Sequence, residues 1–408
     1  MLFDTLEEDR SLSLDEIQVR CQCYERLALE LKQRAAYWKQ RGKFKVVREG
    51  DSNTAFFHAH ASKRMRRNNI KSIVVNGVQV TNHSVKIQAL TEHFRGIVGV
   101  PGNSIWHFSC NQLYQDLPKA NDDLTGPFTE QEAVTAVRNM NRCSAPGPDG
   151  FGPSFYSATW HTVTEEVLGF LAAFYEDSLQ LERVNRSHMV LIPKKADANT
   201  VDAFRPICLQ NCCVKILSKI LTTRLQTQIK KPVDLDQTGF IRGRSITENF
   251  VYAMELVQCC HKRKSPTLVI KLGFAKAFDR VNWDALDTVL QASFSTTWRR
   301  WMKHILQSSC SAVLVNGCQG RGLAVRRGLR QGDSISPYLF ILVADLLHVL
   351  ITKSQLVRHP IVEGKSCPVL QYTDYTLLLV NGELQDVQSL RMMLDQFASA
   401  TGLINQLY

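Results

Sequence analysis

Residues 369–380 read VLQYTDYTLLLV, in which two apolar runs are separated by a short polar centre. Two such runs around so few polar residues predict a tight β-hairpin. The hairpin tip carries Asp374, and an acid held between two strands is well placed to bind a metal ion. The next residue is Tyr375 instead of a second carboxylate. The sequence therefore predicts a metal-binding turn that is supplied with one acid.

The composition is that of an ordinary globular protein, with 44% hydrophobic and 21% charged residues in a chain of 408. This length allows two to three domain-sized units. Lys and Arg outnumber Asp and Glu by 49 to 38, and the net charge of +11 favours a polyanionic partner, although a merely basic soluble protein would have it too. The 12 cysteines do not repeat at zinc-ligand spacing, which indicates reduced thiols in an intracellular protein.

The amino terminus, MLFDTLEEDR, is acidic and lacks the apolar segment of a signal peptide. The most apolar stretch, Pro337–Ile351, contains Asp345 and His348 and is too short and too polar to span a bilayer. Ser336 before Pro337 fits the N-cap of a helix, so we predict a buried core helix. We expect no membrane association and a chain located in the nucleus or cytoplasm.

The first 125 residues carry helix and turn signals followed by a loop composition. Residues 13–42 have the apolar spacing of one long amphipathic helix, and a polar turn is expected at 48–53. Residues 70–80 alternate apolar and polar side chains around an Asn-Gly pair, which predicts a hairpin. Residues 98–127 are rich in Gly, Pro, Asn and Asp and are interpreted as a linker.

A basic run lies between the long helix and the hairpin, at Lys63, Arg64, Arg66 and Arg67. As a phosphate-contacting patch it would bind nucleic acid, in keeping with the net charge. As a solvated helix face it would need no function, and the sequence leaves both interpretations open.

Helix signals return after residue 127. Thr129 is predicted as an N-cap with Glu132 as its capping-box partner. Helices are expected near 160–180 and 212–230, and strands and helices mix from Thr267 onward.

Two local features suggest phosphate chemistry. Lys194 follows an apolar strand and a loop leads back to Arg205, so two cationic side chains on a hairpin could hold a triphosphate. Taken alone this pattern is weak, because lysines at a strand end are usually solvent-facing. The stretch RGLRQGDSISPYLFIL follows later, and its Gly328 and Gly332 let the backbone approach a ligand closely.

Six stretches occur in one order along the chain: SAPGPDGF, LIPKK with FRPICL, QTGFIRGRSITEN, FAKAFDRVNW, RGLRQGDSISPYLF and YTDYTLLL. In that order and at these spacings they resemble the reverse transcriptases of LINE-type (non-LTR) retrotransposons, of the plant kind. The resemblance covers residues 126–408, and residues 37–62 look like the segment that precedes the polymerase in plant elements.

The resemblance implies an α+β fold, a right-hand polymerase with fingers at about 126–265 and a palm at about 266–408. An antiparallel palm sheet flanked by helices would follow a mainly helical region and linker at 1–125. The implied activity copies an RNA template into DNA from a DNA primer and deoxynucleoside triphosphates, with Mg²⁺ or Mn²⁺ on palm carboxylates. We expect a truncated, degenerate element copy from which the thumb is absent.

Position by position, the resemblance implies nucleotide-binding roles at five residues. Lys194 and Arg205 would contact the triphosphate, and Phe278 would screen against a 2′-hydroxyl. Gln331 and Gly332 would form the loop that positions the template and the incoming nucleotide.

The palm acids depart from the family pattern, which has Tyr-Ala-Asp-Asp at the turn and a further Asp before FAKAFD. This chain has Asp374 followed by Tyr375 at the turn, and Gly273 at the other position. Asp374 would be the remaining catalytic residue and metal ligand. Because the loss of one preorganised electrostatic group costs about 10²–10³ in rate, we expect weakened metal binding and no useful polymerisation. Asp279 and Asp333 belong to the family's own pattern and are not expected to substitute.

Three functions stay open on the sequence. The first is a reverse transcriptase domain without catalysis, and the second is a non-catalytic module that binds RNA or DNA through a basic groove. The third is a weakly active polymerase that uses Asp374 with other ligands. Metal-dependent primer extension separates the third from the first, and salt-dependent RNA binding would support the second.

Overall fold

The computed structural model of the protein describes residues 2–42, 54–116, 120, 122–195 and 197–407. Contacts divide the chain into two compact units. The first is Met1–Lys71 with Lys195–Asp197, and the second is Ser72–Lys194 with Ala198–Tyr408. The polar turn expected at 48–53 lies outside the described residues.

The described part of the first unit consists of helices: α1 (Leu2–Asp9), α2 (Leu14–Gly42) and α3 (Thr54–Asn68). The long helix predicted from residue 13 to residue 42 is confirmed as α2. It begins with a capping box in which the Glu16 backbone N–H donates to Ser13 Oγ at 3.3 Å and the Ser13 N–H donates to Glu16 Oε2 at 2.8 Å. These bonds satisfy backbone donors that have no intrahelical partner at a helix start.

The helices described in the second unit are α4 (His83–Val98), α5 (Cys110–Tyr114), α6 (Glu130–Arg138), α7 (Pro153–Ala158), α8 (Trp160–Tyr175), α9 (Cys212–Gln228), α10 (Ile246–Arg263), α11 (Ala277–Arg280), α12 (Trp283–Ser293), α13 (Thr296–Gln307), α14 (Ser336–Ser354) and α15 (Leu384–Thr401). Its strands are β1 (Ile73–Val75), β2 (Val78–Val80), β3 (Arg186–Pro193), β4 (Phe204–Gln210), β5 (Thr267–Phe274), β6 (Cys310–Val315), β7 (Cys318–Ala324), β8 (Val369–Tyr372), β9 (Tyr375–Asn381) and β10 (Asn405–Leu407).

Local sequence signals account for several of these elements. The capping box at Thr129 and Glu132 is confirmed at the start of α6, and α8 and α9 lie where helices were expected. The hairpin predicted within 70–80 is confirmed, with Val75 paired to Val78 across Asn76-Gly77. Both turn residues have positive φ, at 51° and 80°, which is the geometry for which Asn-Gly is preferred in a two-residue hairpin turn.

Sheet A has the strand order β10-β5-β9-β8, and all three pairings are antiparallel. The hairpin predicted over 369–380 is confirmed as β8 and β9, with Tyr372 paired to Tyr375. Buried side chains of β5 and β9, among them Leu272 and Leu378, join a core to which α12, α14 and α15 contribute. The predicted α+β class with an antiparallel sheet flanked by helices is therefore confirmed.

Sheet B has the strand order β4-β3-β6-β7. The β3 and β4 strands pair antiparallel, from Ser187 opposite Gln210 to Pro193 opposite Phe204, so the loop after β3 lies at one end of this pair. The β6 strand joins β3 in parallel. Sheet B thereby places the residues that follow β3 next to the start of β4.

Helix α14 is the predicted core helix, and 78% of its most apolar window is buried within the protein. Among the described residues it alone is long and apolar enough to meet the length and composition of a membrane span, a test that buried core helices also pass. The helix starts one residue earlier than predicted. Its N-cap is Ile335 instead of Ser336, and Ser336 and Pro337 are its first two residues. The hydrophobic neighbours on sheet A and on the surrounding helices explain why this stretch is apolar all round.

The segment 98–127 differs from the linker that its composition predicted. Cys110, Tyr114 and Leu124 are at most 5% exposed and belong to the main hydrophobic core. The Ile105 backbone N–H also donates to the Ser399 carbonyl of α15 at 3.0 Å. The segment is irregular over much of its described length but packed, so loop composition here reflects the absence of long helices and not the absence of burial.

Candidate active site

A cavity of about 480 Å³ is lined by residues of sheets A and B, α4, α11 and the loop before α14. It collects all the nucleotide- and metal-contacting residues that the resemblance singled out: Lys194, Arg205, Phe278, Gln331, Gly332 and Asp374. These residues come from distant parts of the sequence, so the fold and not local spacing brings them together. We call this cavity the cleft.

The tip of the β8–β9 hairpin is a two-residue turn formed by Thr373 and Asp374. Thr373 has a φ of 58°, and its backbone N–H donates to Gln237 Oε1 at 3.1 Å. Positive φ at a central residue is what a tight hairpin turn requires. The side-chain amide of Gln237 therefore helps to hold the turn in the orientation that presents Asp374 to the cleft.

The two positions that lack the expected acids lie directly opposite each other in sheet A. Gly273 of β5 pairs with Tyr375 of β9, immediately after Asp374. Gly273 offers only backbone atoms, and Tyr375, which is 47% exposed, carries a phenol in place of a carboxylate. The Lys271 ammonium lies 5.2 Å from the centroid of the Tyr375 ring, a cation–π contact. A positive charge thus accompanies the ring at the position of the second expected acid.

Asp374 is the one carboxylate at this turn, and its surroundings act on it in opposite directions. Burial raises the pKa of Asp374, while a backbone hydrogen bond and the Arg205 guanidinium lower it. Among the described residues, no group of three His, Cys, Asp or Glu side chains with mutually close ligand atoms is found at the turn. Because one carboxylate cannot balance two dications and a triphosphate, the donor set here does not fit a pair of magnesium ions.

The cationic wall of the cleft is organised by an acid that the sequence reasoning did not nominate. Asp202 lies in the segment that connects β3 to β4. Its Oδ1 accepts a hydrogen bond from Lys276 Nζ at 2.5 Å and lies 3.5 Å from His93 Nε2. Its backbone carbonyl accepts from Lys194 Nζ at 2.9 Å. Lys276 stands inside the quoted FAKAFD stretch and Asp202 lies two residues before FRPICL, which was the available signal. His93 lies on α4, in the region assigned upstream of the polymerase.

Asp279 is buried in the cleft wall and fixes the loop before α14. Gln331 Nε2 donates to Asp279 Oδ1 at 3.1 Å. Burial raises the pKa of Asp279 to about 6, against the opposing effects of that hydrogen bond and of nearby cations led by Lys276. The carboxyl group is therefore engaged in positioning Gln331, which supports the expectation that Asp279 is not a replacement metal ligand.

The backbone of the same loop is docked onto β4. The Cys208 N–H donates to the Gln331 carbonyl at 2.8 Å, as an additional strand residue would. Gly332 has a φ of 108°, and a Cβ there would lie 3.0 Å from the Cys208 carbonyl oxygen. Only glycine meets both demands, which explains its place at the cleft.

A buried polar network holds the base of this loop. Arg330 is 6% exposed, and its Nη1 donates to Asn185 Oδ1 at 2.6 Å. Asp333 accepts from Gln210 Nε2 at 2.7 Å and lies 3.9 Å from Arg330 Nε. Asn185 and Gln210 were missed by sequence reasoning, because no local pattern shows that they face residues more than 100 positions away.

Phe278 and the basic run complete the set of predicted residues. The Phe278 ring is half-buried and stacks on Phe340 of α14, with centroids 4.9 Å apart and planes 13° apart. Packing therefore fixes this aromatic ring at the cleft. The basic side chains of α3 are all exposed and lie in the first compact unit: Lys63, Arg64, Arg66 and Arg67.

An antiparallel sheet with an acidic turn, sharing a cleft with a cationic strand pair, defines a polymerase domain of the fingers-and-palm class. The reverse transcriptase (RNA-dependent DNA polymerase) family matches residues 192–406 of the sequence. The chain belongs to the reverse transcriptase family.

Three proteins of transposable elements are similar to this chain at low sequence identity. The chain is 26% identical over 367 residues to the Transposon TX1 uncharacterized 149 kDa protein of Xenopus laevis, covering 88% of this chain and 28% of that protein. It is 26% identical to the Retrovirus-related Pol polyprotein from type-1 retrotransposable element R2 of Popillia japonica, covering 63% and 35%. It is 24% identical to the Retrovirus-related Pol polyprotein from type-2 retrotransposable element R2DM of Drosophila melanogaster, and the match covers 64% of this chain and 24% of that protein. The chain spans about a quarter to a third of these relatives.

These matches confirm the predicted resemblance to reverse transcriptases of non-LTR retrotransposons. The family uses divalent metal ions, an RNA template and nucleotide substrates. Plant origin, the domain boundaries and the role of each site residue stay predictions.

Proposed function

We propose that this chain is a reverse transcriptase domain that binds nucleic acid and nucleotide in the cleft but does not catalyse DNA synthesis. The observation that carries the proposal is the cross-strand pair of Gly273 and Tyr375 beside Asp374. Three positions that would converge on paired metal ions supply one carboxylate.

The energetic argument concerns the charge that develops during phosphoryl transfer. Two divalent ions normally clamp the attacking and leaving oxygens, and the protein holds them with carboxylates. Loss of a single preorganised electrostatic group costs about 10²–10³ in rate. Two are lost here, and the Lys271 ammonium beside Tyr375 adds a charge of the wrong sign for a dication.

Retention of binding is supported by the cations of the cleft. Lys194, Arg205 and Lys276 line it together with the half-buried Phe278. Ammonium and guanidinium groups bind phosphate oxygens whether or not chemistry follows. The proposed ligands are an RNA template, a DNA primer and deoxynucleoside triphosphates.

Primer extension on an RNA template tests the proposal. With the full chain and either Mg²⁺ or Mn²⁺ we expect no extended primer above the background of a protein-free reaction. The decisive control is Asp374→Ala. Reproducible extension by the parent chain that disappears in this variant would show a working palm and overturn the proposal.

A further inference from the structure

A second group of potential metal ligands lies outside the cleft. The loop between α9 and α10 carries Asp234 and Asp236, and α14 carries His348. The ligand atoms of these three side chains lie within 4.8 Å of one another. The Asp234 Oδ1 and His348 Nε2 atoms are 3.5 Å apart, close to the separation of about 3.4 Å between two ligands of a tetrahedral ion with bonds of about 2.0–2.1 Å.

An independent observation comes from Asp345, one turn before His348 on α14. Its side chain is 1% exposed, and Oδ2 has no hydrogen-bond partner among the described residues. Asp345 lines a cavity of about 270 Å³ together with Asp234 and His348. A buried carboxyl oxygen without a partner is costly, so its position beside the three-residue group points to a ligand that the protein atoms alone do not supply.

The backbone holds the loop ligands in place. The Asp236 carbonyl accepts from the Gln371 N–H at 3.0 Å and from Asn249 Nδ2 at 2.7 Å. The Asp234 N–H donates to Asp345 Oδ1 at 3.1 Å. Arg244 also donates to the Val233 carbonyl at 3.0 Å. Ligands held this way need little rearrangement to bind an ion.

We propose that Asp234, Asp236 and His348 form a binding site for a divalent transition-metal ion such as Zn²⁺, next to the buried carboxyl group of Asp345. One imidazole and carboxylate oxygens are donors that zinc and its neighbours accept, whereas Mg²⁺ prefers oxygen alone. The site shares none of its residues with the cleft.

Nearby cations weaken the purely electrostatic attraction of this site for a metal ion. Lys230 and Lys231 also line the cavity, so the local field is not uniformly negative. Lys353 is paired with Asp116 at 2.8 Å. An ion therefore has to be held by inner-sphere bonds, which the close approach of the three ligand atoms allows.

The bound ion would tie the loop after α9 to the core helix. This loop is also hydrogen-bonded to β8, because the Thr238 N–H donates to the Gln371 carbonyl at 3.0 Å. The metal would thus join the loop to α14, and the hydrogen bonds of the loop would extend this link to β8 of the hairpin that bears Asp374. Its role is structural and does not depend on polymerisation.

Co²⁺ titration of the full reduced chain, followed by visible absorption, tests the site. Cobalt bound by nitrogen and oxygen gives d–d bands without the near-ultraviolet charge-transfer band of thiolate ligation, which separates this site from the 12 cysteines. We expect such a spectrum in the parent chain and affinity weakened by at least about tenfold in His348→Ala and Asp236→Asn. Competition by Zn²⁺ should abolish the bands.

One control and the choice of an isosteric ligand variant keep the outcome clear. His161→Ala removes an exposed histidine of α8 and should leave the spectrum unchanged. His348→Ala could lose cobalt because of a folding defect. Asp236→Asn is isosteric and keeps the backbone bonds of residue 236, so weakened cobalt binding in this second variant would reflect the loss of a ligand. The proposal is overturned if the parent chain shows no nitrogen–oxygen spectrum, if all bound cobalt is thiolate-ligated, or if both ligand variants bind as the parent does.

Discussion

At the scale of single residues, the strand pairing of sheet A does not depend on the side chains that would bind a metal. Backbone pairing places residues 273 and 375 opposite each other, and backbone hydrogen bonds do not depend on which side chains stand there. A glycine and a tyrosine at these positions therefore leave the hairpin in register without supplying the two carboxylates that the family pattern predicts there. The same logic makes the missing ligands restorable.

The double change Gly273→Asp with Tyr375→Asp is the first prediction. Loss of a residue that merely orients a ligand costs about 10–100-fold in metal affinity, so two added direct ligands should raise Mn²⁺ affinity at the cleft by at least about tenfold. Electron paramagnetic resonance of free Mn²⁺ measures this.

The matched control places the same two charges on exposed positions of β5, as Leu268→Asp with Val269→Asp. If the control gains as much Mn²⁺ binding as the cleft variant, or if neither gains any, residues 273, 374 and 375 do not form the expected metal position.

Asp279 supports a prediction about pH. Its folded-state pKa is about 6 because of burial, against an ordinary value of 3.8. Between these values the native state keeps a proton that the unfolded state has released, so stability falls as pH rises from about 4 to about 6 and the deficit persists above. The difference corresponds to about 3 kcal/mol. Asp279→Asn should therefore raise the free energy of unfolding at pH 7 by up to that amount and leave it unchanged below pH 4.

Urea denaturation at pH 4, 5, 6 and 7 measures the effect, because the Asn side chain still accepts the Gln331 hydrogen bond. Asp395→Asn, at an exposed position of α15, serves as the control and should shift nothing. Equal pH dependence of the parent chain and Asp279→Asn would contradict the assignment.

At the scale of elements, a single arginine of α9 fixes the entry to α6. Arg224 donates from Nε and Nη2 to the two carboxylate oxygens of Glu132 at 2.6 and 2.8 Å. It also donates to the carbonyls of Gly126 at 2.6 Å and Pro127 at 2.8 Å, and its guanidinium lies 4.6 Å from the Phe128 ring centroid. The capping box of α6 is thereby bound to α9, which follows much later in the chain.

Arg224→Lys should destabilise the protein by about 2–3 kcal/mol. An ammonium cannot reproduce the planar fork, and hydrogen bonds to charged groups contribute about 1.5–3 kcal/mol each. The measurement is the midpoint of urea denaturation. Arg300→Lys is the matched control, since Arg300 is 52% exposed and lies 3.9 Å from its acidic neighbour. A loss no greater than that of the control would show that the carbonyl and carboxylate bonds do not matter.

At the scale of the whole molecule, the net charge of +11 and the cationic cleft predict salt-dependent RNA binding. Each phosphate contact adds about 0.7 to the slope of log affinity against log salt for a single strand. Lys194→Ala and Arg205→Ala should each weaken binding and reduce the slope by about that amount. Fluorescence anisotropy at several salt concentrations measures both quantities.

Lys303→Ala, at an exposed lysine of α13 outside the cleft, is the control and should change neither quantity. The same assay decides the role of the α3 basic run. Replacement of its four cations by glutamine lowers the slope if they contact phosphate and leaves it unchanged if they are a solvated helix face.

Short-range signals predicted much of the architecture. The Asn-Gly hairpin, the capping box of α6, helix α2 and the β8–β9 hairpin were all predictable, because each depends on residues only a few positions apart. The six motif residues that gather at the cleft were also nominated beforehand. Their convergence, however, follows from strand order and register, which no local pattern contains.

The failed predictions share one physical cause, which is that burial and polar pairing depend on residues far apart in the sequence. Composition indicates whether a segment forms regular structure but not whether it is buried, which is why residues 98–127 were interpreted as a linker. Likewise, Asn185 and Arg330 meet across 145 positions of sequence. Asp202 and Lys276 pair across 74. Polar groups that are satisfied only by such distant partners carry no sequence signature of their own.

The burial of α14 has a consequence for synthesis. This helix leaves the ribosome before β8, β9 and α15, which help to cover it, have been made. At about 5–20 residues per second, its apolar surface stays uncovered for seconds. During that interval the nascent chain presents an apolar surface of the kind that aggregates or that a chaperone binds.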